Sequence, residues 1–593
     1  MPARERERKH SCLPRRGSSR RIAVLALFLP ASLLAQPAIQ TELRNGVVRA
    51  VVLHASGDRV TDEAPAQPGE MLTIQGAGLS AAQLLVGGNP TDSTALDDAN
   101  LQFTLAPDAG GSFLELAVLS GNAASVPVDA PADATQLTAA EVNTLVLNAA
   151  LASDGAGIAI AVVDRAGNVL AVYRRPATTD AEVERALSLA RTGAFFSSLA
   201  TPLSSRTIRS ISRVNFPEGV PNTSAGDLFG IENTNRGCDF NVAYLPGQAY
   251  PRFQNVSATD FGNGMATVPG GLPLFRGGAV VVGGIGVSGL DNFNLGADNY
   301  QALTFASMNE AVAVAAAQSA GFFVHTPLPD PGAVYIAGFR LPFVNPAATR
   351  PAGAPGGSFQ IAPRNGSPAP DGWLAGPLSS STLSAADVTG IVQNAIDTAN
   401  RTRAAIRLPA GTRARMVISV ADLNGNILGI YRMPDSTIFS IDVALSKARN
   451  VVYFSGPNLD PRDLPGVPAG TAVTNRTVGF GSQTFFPSGI ANTRPGPFAD
   501  LYSFDLANPC TQGHQPANPN QSGIVFFPGS APLYRNGQLV GGLGVSGDGV
   551  DEDDYVTAGG AAGFEPPATI RADQIFIRGV RLPYAKFPRN PEQ

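Results

Sequence analysis

Two short glycine-rich segments hold the residues whose types and spacing best suit ligand binding. They read GIGVSG, at residues 284–289, and GLGVSG, at residues 542–547. Glycine lets the backbone approach a ligand closely, and successive backbone N–H groups can hold an anionic group such as a carboxylate. The alternative is a tight turn from a strand into a helix, without a ligand. The candidate residues of these segments are Gly286, Ser288, Gly544 and Ser546.

Charged side chains at equivalent positions can complete an anion site. Arg174 and Arg432 each end an apolar, strand-like run, and a guanidinium forms charge-assisted hydrogen bonds with carboxylates. A surface ion pair is the alternative for either arginine. Ser440 and Lys447 lie in a helical stretch of the second half, where the first half has glutamate and leucine instead. A solvated salt bridge between Lys447 and Asp442 is the alternative for that lysine.

An acidic run follows the second glycine-rich segment. Oxygen-rich loops can bind calcium or ferric iron. The spacing fits no standard calcium loop, so a plain solvated loop remains the alternative. We therefore assign no metal, and we keep Asp554 of this run as a candidate ligand-site residue. The run consists of Asp548, Asp551, Glu552, Asp553 and Asp554.

Motifs of the common catalytic and metal centres are missing from the sequence. It has no C-x-x-C-H, H-E-x-x-H, G-x-S-x-G or phosphate-binding loop. Outside the first 35 residues the histidines are His54, His325 and His514. Chemistry that depends on histidine therefore has few residues to use. We assign no catalytic residue, and we expect a hydrogen-bonded structural role for His54.

The glycine-rich segments belong to an internal duplication. VVDRAGNVLAVYR, at residues 162–174, recurs as VADLNGNILGIYR, at residues 420–432. The same offset of 258 residues links the two glycine-rich segments and a third pair of blocks, which begin ALSLAR and ALSKAR. This period is far too long for a solenoid, so the pattern predicts two tandem copies of one globular domain.

The same order of elements is predicted in both copies. Each begins with a helix that carries a capping box, T-x-x-E from Thr138 and S-x-x-D from Ser384. A hairpin, a second helix, a Gly/Pro-rich excursion, a second hairpin and a final strand follow. Excursions of this length usually have a function or form an interface. The excursions are residues 199–268 and 457–527, and the final strands are residues 335–343 and 576–584.

The N-terminus predicts export. In residues 1–35 a basic region precedes a short apolar run and a small residue, which is the pattern of a cleaved signal peptide. A retained membrane anchor is the alternative, and the choice between the general secretory and twin-arginine routes stays open. The rest of the chain has 34 basic and 45 acidic residues, which argues against nucleic acid as a partner. We expect a secreted, periplasmic or outer-surface protein.

Residues 45–130 are predicted as an all-β sandwich, because short alternating runs are separated by turn residues. PGEMLTIQGAGLS, at residues 68–80, followed by LLVGG and ANLQFTLAP, resembles the IPT/TIG type of immunoglobulin-like domain. That resemblance implies a spacer or stalk. Residues 134–346 and 382–588 are then the two repeats, and residues 347–381 are a Pro/Gly-rich linker.

Both repeats resemble the GlcG/HbpS family of haem-binding or haem-degrading-type domains. The resemblance rests on the YR-ending hairpins, the SIDVALSKA helix at residues 440–448 and the two glycine-rich segments. It implies an α+β fold, a profilin-like antiparallel sheet with flanking helices in each repeat. The first repeat departs from the pattern in its helix and carries an insertion from Leu290 to about Phe305.

The resemblance also implies a ligand, haem, whose propionates need cationic partners. We predict binding beside the second segment more than the first, because only the second repeat keeps a lysine beside its arginine. The predicted contacts are Arg432, Ser440, Lys447, Gly544, Ser546 and Asp554, with Arg174, Gly286 and Ser288 in the first repeat. No axial ligand is singled out by spacing.

Relatives in this family are typically oligomeric, so we predict that the repeats pair as an intramolecular pseudo-dimer, with a further homo-oligomer open. Cys238 and Cys510 follow equivalent FPxG motifs, and equivalent residues near a pseudo-two-fold axis can meet. We therefore predict a disulfide between them, with two separate thiols as the alternative. For the whole chain, a non-catalytic structural or adhesive protein and an enzyme acting on a small organic acid remain alternatives to haem or iron binding.

Overall fold

The computed structural model describes most of the chain beyond residue 36. The described residues are 37–44, 47–61, 63–86, 89–105, 113–118, 123–127, 135–199, 201–242, 246, 264–276, 280–291, 305–322 and 333–593. The predicted signal peptide and most of the insertion after Leu290 lie outside them. Within these ranges no helix is long and apolar enough to cross a membrane.

The N-terminal region is built from strands. One sheet has the order β1-β5-β9-β8, with β4 also on β5, and the other has the order β2-β3-β11-β10-β6-β7. Leu72 and Ile74 of β5 and Phe103 of β9 lie in one buried core with Leu116 of β10. This strand content is what the all-β prediction requires, and the IPT/TIG assignment stays a prediction. The strands are β1 (Ala38–Ile39), β2 (Thr41–Arg44), β3 (Val47–Ala50), β4 (Val52–Leu53), β5 (Met71–Ala77), β6 (Leu84–Val86), β7 (Asn89–Pro90), β8 (Ser93–Ala95), β9 (Asn100–Thr104), β10 (Phe113–Val118) and β11 (Ala123–Pro127).

Each repeat contains a five-stranded antiparallel sheet between helices. The strand order is β14-β15-β12-β13-β18 in repeat 1 and β22-β23-β20-β21-β19 in repeat 2. Repeat 1 contains α1 (Ala139–Leu151), β12 (Ala159–Asp164), β13 (Val169–Arg174), α2 (Asp180–Phe196), α3 (Ser205–Ser210), β14 (Gly271–Arg276), β15 (Val280–Ser288) and α4 (Met308–Ser319). Repeat 2 contains α5 (Ala385–Arg401), β20 (Met416–Ala421), β21 (Ile427–Arg432), α6 (Phe439–Phe454), α7 (Asn475–Gly481), α8 (Ala499–Ala507), β22 (Ser530–Arg535), β23 (Gln538–Gly547) and α9 (Val550–Gly560).

Alternation along the central strands assigns each sheet face to a helical layer. In β12, Ala161 and Val163 pack in the core shared with α2, while Ile160 and Val162 pack with α1 and α4. In repeat 2, the strand β20 divides in the same way between α6 on one face and α5 with α9 on the other. Both faces are thus buried, which explains why these strands are apolar throughout. The predicted capping boxes at Thr138 and Ser384 are confirmed.

The segment predicted as a Pro/Gly-rich linker contains two edge strands, which were not predicted from the sequence. β18 (Ser358–Ile361) pairs with β13, and β19 (Gly372–Ala375) pairs with β21. Phe359 lies edge-on to Tyr173, and Trp373 lies edge-on to Tyr431, with ring centroids 5.5 Å apart in both pairs. The linker therefore completes both sheets, one after the other.

The predicted final strands form two small hairpins instead. These are β16 (Tyr335–Ile336) with β17 (Phe339–Arg340) and β24 (Phe576–Ile577) with β25 (Val580–Arg581). Each turn has two residues with positive φ, Ala337-Gly338 and Arg578-Gly579, as a two-residue hairpin loop of this kind requires. The following RLP segments accept hydrogen bonds from the excursions: Thr207 bonds the Pro342 carbonyl at 2.7 Å, and Thr477 bonds the Pro583 carbonyl at 2.6 Å.

Residues of both repeats meet in a common apolar cluster that includes α2 and α6. The rings of Phe196 and Phe439 are stacked with centroids 4.1 Å apart, and the Ile438 amide donates to the Phe195 carbonyl at 2.9 Å. The excursions cross as well, because Arg236 of the first forms an ion pair of 2.5 Å with Asp505 of the second. Both partners of that pair are buried.

Candidate functional site

The two glycine-rich segments lie at the ends of strands β15 and β23, not in loops. Each strand is paired on both sides, so its backbone groups serve the sheet. A Cβ atom on Gly286 would come 2.0 Å from the carbonyl oxygen of Ala186, and one on Gly544 would come 2.1 Å from that of Ala444. The glycines therefore allow α2 and α6 to lie directly on the sheet. The sequence predicted that a ligand would approach these glycines closely. In the structure, the backbones of α2 and α6 do so instead.

The serines of these segments have partners inside the protein. Ser546 donates to the Oγ of Ser440 at 3.0 Å, and Ser440 also contacts the hydroxyl of Thr437 at 2.7 Å. Ser288 bonds the carboxylate of Glu182 at the equivalent place in repeat 1. The structure therefore brings Ser440 and Ser546 together as predicted, in a buried contact.

Lys447 is fully buried, with no exposed side-chain surface. Its Nζ donates to the Val545 carbonyl at 2.8 Å and to Asp553 at 3.0 Å, and lies 5.0 Å from the centre of the Phe527 ring. Burial lowers the pKa of Lys447, while the charge of Asp553 opposes that shift. The cation is therefore committed to an internal ion pair and does not face an external propionate.

Asp442 is also buried and does not pair with Lys447. It accepts a hydrogen bond of 3.1 Å from the amide of Asn235 in the first excursion. Burial raises the pKa of Asp442 to about 6, and the guanidinium of Arg236 acts in the opposite direction. The alternative of a solvated salt bridge between Lys447 and Asp442 is therefore not formed, because both side chains are buried.

The two predicted arginines hold backbone segments. Arg432 is buried and donates to the Ser436 carbonyl at 2.6 Å and to the Pro370 carbonyl at 3.0 Å. Arg174 is partly exposed and forms an ion pair of 2.6 Å with Asp180. The ion pair at Arg174 is the alternative that the sequence left open for it.

The acidic run after the second glycine-rich segment is the start of helix α9, not a solvated loop. Asp554 is buried, accepts from the amides of Gly529 at 2.9 Å and Lys586 at 3.0 Å, and pairs with Arg476. In the described part of the chain, no three His, Cys, Asp or Glu side chains are grouped closely enough to hold a metal ion. The candidate Asp554 is therefore bonded to groups of the protein itself.

A cleft opens where this helix begins. It is lined by residues of both repeats and has a volume of about 670 Å³. Its walls carry small and apolar residues together with the carboxylates of Asp227, Asp551 and Glu552. The sequence had no signal for it, because the lining comes from five separate stretches of the chain.

A second feature surrounds His514, in the second excursion. The buried carboxylate of Asp463 lies 2.6 Å from the ring Nδ1 of His514 and also accepts from its backbone amide at 2.9 Å. Tyr453 donates to the same carboxylate at 2.5 Å. By contrast, both ring nitrogens of His54 have partners, Glu70 and the Ala64 carbonyl, which confirms its structural role.

The family model described as haem degrading protein HbpS-like matches residues 135–294 and 383–562, more than half of the chain. The chain belongs to the HbpS-like family. The two matched regions confirm the predicted tandem domains of this family.

Two curated relatives come from Citrobacter freundii. The corrinoid adenosyltransferase PduO is 29% identical over 152 residues, which are 26% of this chain and 33% of PduO. An uncharacterized 15.0 kDa protein is 29% identical over 138 residues, 23% of this chain and 68% of the relative. The chain thus spans about a third of the length of the adenosyltransferase that it matches.

Three solved structures are similar to this chain at 20% identity. The protein ORFY of Klebsiella pneumoniae has a TM-score of 0.21, with 31% of this chain and 92% of that chain covered. A PduOC–haem complex has a TM-score of 0.20, with 31% and 94% covered. A double mutant of Streptomyces reticuli HbpS has a TM-score of 0.19, with 33% and 95% covered.

A disulfide joins the excursions of the two HbpS-like repeats. It connects Cys238 and Cys510, whose Cα atoms are 5.3 Å apart. Residues on either side of these cysteines form further contacts between the excursions, including the ion pair of Arg236 with Asp505 and the hydrogen bond of Asn233 to Asp505 at 2.9 Å. The excursions therefore form an interface, one of the two roles expected for segments of this length.

Proposed function

We propose that this HbpS-like chain is an exported haem-binding protein whose two repeats form an intramolecular pseudo-dimer. The observation that carries the proposal is the match of the HbpS-like model to both repeats. The N-terminal pattern at residues 1–35 supports export, and a disulfide suits an oxidising compartment. The shared apolar cluster and the crossed excursions support the pseudo-dimer.

The residues predicted to hold the propionates do not offer free charges to a ligand. Lys447 is paired with Asp553, and the described guanidinium bonds of Arg432 hold backbone carbonyls. We therefore place the proposed iron contact in the second excursion, at His514. An ionised carboxylate can only accept, so Asp463 keeps the proton of His514 on Nδ1 and leaves the lone pair on Nε2.

Histidines that bind metals usually have such a partner, because a carboxylate on the other ring nitrogen fixes the tautomer and raises the basicity of the ligand. No hydrogen bond to Nε2 of His514 is formed within the described residues, and the side chain is 25% exposed. Its ring packs against Phe504 with centroids 4.2 Å apart. These features fit a histidine that would hold the iron of bound haem at an accessible position.

Haem titration of the exported chain, followed at the Soret band, tests the proposal. We expect saturable binding that His514→Ala weakens by about tenfold or more, since one iron ligand is lost. His54→Ala is the matched control, because both ring nitrogens of that histidine are already bonded. Equal spectra for the parent and His514→Ala would rule out iron binding by His514.

A non-catalytic structural or adhesive role is the second candidate. It is supported by the burial of α2 and α6, since α6 carries the predicted contacts Ser440 and Lys447, and by the disulfide-linked excursions that contact each other. A chain that shows no Soret change under any haem excess would favour this candidate over haem binding.

A further inference from the structure

The cleft beside helix α9 holds a carboxylate that lacks a cation. Glu552 lines the cleft, and only 8% of the residue is exposed. Its side chain forms no hydrogen bond or ion pair with another described residue, and one of its carboxylate oxygens lies over Gly549. A buried, uncompensated charge is costly. The cleft therefore offers a favourable site for positive charge.

The cations on the cleft walls are largely committed elsewhere. Arg407 pairs with Asp435 at 2.5 Å and with Asp548 at 2.8 Å. Lys586 pairs with Asp551 at 2.6 Å. Arg403 is an exposed residue of the wall and forms no ion pair within the described residues. The charged groups that act most strongly on Glu552 are carboxylates.

Those carboxylates and the burial of Glu552 both raise the pKa of its side chain. Burial, with smaller contributions from the negative charges of Asp551, Asp553 and Asp227, raises the pKa of Glu552 to about 8. Near neutral pH the side chain of Glu552 is thus mainly the neutral acid. A bound cation would stabilise the ionised form and displace that proton.

We propose that this cleft binds a small organic ammonium compound, whose charged end is held by Glu552 with Asp227 and whose apolar body lies on the opposite wall. Six small or apolar residues supply that wall: Ala333, Val334, Ile336, Ala404, Ala405 and Leu408. The volume of about 670 Å³ suits an organic molecule. This site is separate from the proposed haem contact and does not depend on it.

The charges and the apolar lining of the cleft favour an organic cation over a metal ion or an anion. The described carboxylates do not group closely enough with a third ligand to hold a metal ion. A dianionic ligand such as haem would meet the carboxylates of Glu552 and Asp227, and the charges that act most strongly on Glu552 are themselves negative. An amine carries one positive charge and an apolar body, which match the two parts of the lining.

The pH dependence of binding follows from the raised pKa of Glu552. Below pH 8 the amine must displace a proton, so affinity should rise by about tenfold per pH unit between roughly pH 6 and 8 and level off above. The groups that face Glu552 and set this window are Asp551, Asp553 and Asp227, with Lys586 and Arg403 on the same cleft.

Isothermal titration calorimetry of the full chain, without haem, tests the proposal with three probes that have the same apolar part, a phenyl ring on a four-carbon chain, and differ in the polar group at its end. These are phenylbutylamine, phenylbutanol and phenylbutyrate. We expect the amine alone to bind, and heats in buffers of different ionisation enthalpy should show release of a proton at pH 7. Binding of the alcohol or the carboxylate as tightly as the amine would overturn the proposal, and so would no binding by the amine.

Variants locate the site. Glu552→Gln should lower amine affinity by about tenfold or more and remove both proton release and the pH slope. Glu565→Gln is the matched control, an exposed carboxylate of the same repeat outside the cleft lining. Unchanged affinity in Glu552→Gln, or displacement of the amine by calcium or magnesium ions, would contradict an organic-cation site. The comparison of the three probes on the parent protein stands even if this variant folds poorly.

Discussion

The two repeats differ most at one buried position between the sheet and its last helix. In repeat 2, Lys447 faces Asp553, and a Cβ on Gly529 would contact both. In repeat 1, Leu189 and Asn309 occupy the same place around Gly270. The charged pair in one repeat is thus replaced as a unit by an apolar and an amide residue in the other.

A second buried pair is kept in both repeats. Arg206 bonds Glu310 at 2.8 Å in repeat 1, and Arg476 bonds Asp554 in repeat 2. Each arginine lies in the first helix of an excursion, and each acid lies in the last helix of its repeat. The excursions are therefore attached to both repeats by the same ion pair. Between the two repeats, the charged pair differs only at the neighbouring position, where Lys447 and Asp553 in repeat 2 correspond to Leu189 and Asn309 in repeat 1.

This comparison changes the meaning of the lysine. From the sequence, the absence of a lysine in repeat 1 indicated a lost ligand contact. In the structure, the exchange at Leu189 and Asn309 removes both charges together. Losing one partner of a buried pair leaves an uncompensated charge, whereas losing both can be nearly neutral. The difference between the repeats at this position is therefore explained by packing in the two cores, without a lost ligand contact.

The largest expected effect comes from separating the repeats. Each repeat expressed alone, as residues 134–346 or 382–588, would expose its part of the shared apolar cluster around Phe196 and Phe439. We expect both fragments to associate or aggregate, because exposed apolar faces of this kind pair with one another. Light scattering measures this directly. Two soluble monomeric fragments would show that each repeat is an independent domain.

The second prediction exchanges the buried pair. Lys447→Met leaves Asp553 buried without a cation, so unfolding should become easier by about 3–5 kcal/mol. Leu189→Met at the equivalent position should cost less than about 1.5 kcal/mol, since volume and polarity are kept. The single tryptophan, Trp373, lies on the sheet of repeat 2 and reports its unfolding in urea.

The double variant Lys447→Leu with Asp553→Asn transplants the pair of repeat 1 into repeat 2. It should recover most of the stability lost in Lys447→Met, because no buried charge remains unpaired. A double variant as unstable as the single one would mean that the lysine stabilises repeat 2 through contacts other than Asp553. The cation–aromatic contact with Phe527 would then be the first candidate.

The sequence predicted the elements whose signals are local. The capping boxes at Thr138 and Ser384 and the hairpin at Asn424-Gly425 depend on neighbouring residues, and the structure has them where they were expected. The repeat offset then extends each local prediction to the other copy. The tandem HbpS-like assignment follows from the same blocks.

The sequence failed where long-range contacts decide. The edge strands β18 and β19 have four residues each and only one partner strand, so no periodic pattern marks them. The glycines of GVSG have the same sequence whether a ligand or a helix approaches them. Glu552 stands in an acidic run that indicates solvent, yet residues from distant parts of the chain bury it.

The smallest expected effect separates the two strand-ending arginines. Arg432 is buried and joins β21 to the carbonyls of Ser436 and Pro370, so Arg432→Ala should destabilise repeat 2 by about 1.5–3 kcal/mol. Arg174 forms a partly exposed ion pair with Asp180, so Arg174→Ala should cost about 0–1 kcal/mol. Urea unfolding followed by Trp373 fluorescence measures the effect of Arg432→Ala, and circular dichroism measures the effects of both variants.

The variant Arg432→Lys distinguishes geometry from charge, because lysine keeps the positive charge but loses the branched guanidinium that reaches two carbonyls at once. Full stability in Arg432→Lys would show that a single cation near β21 is enough, and equal losses in Arg432→Ala and Arg174→Ala would remove the asymmetry between the repeats at this position.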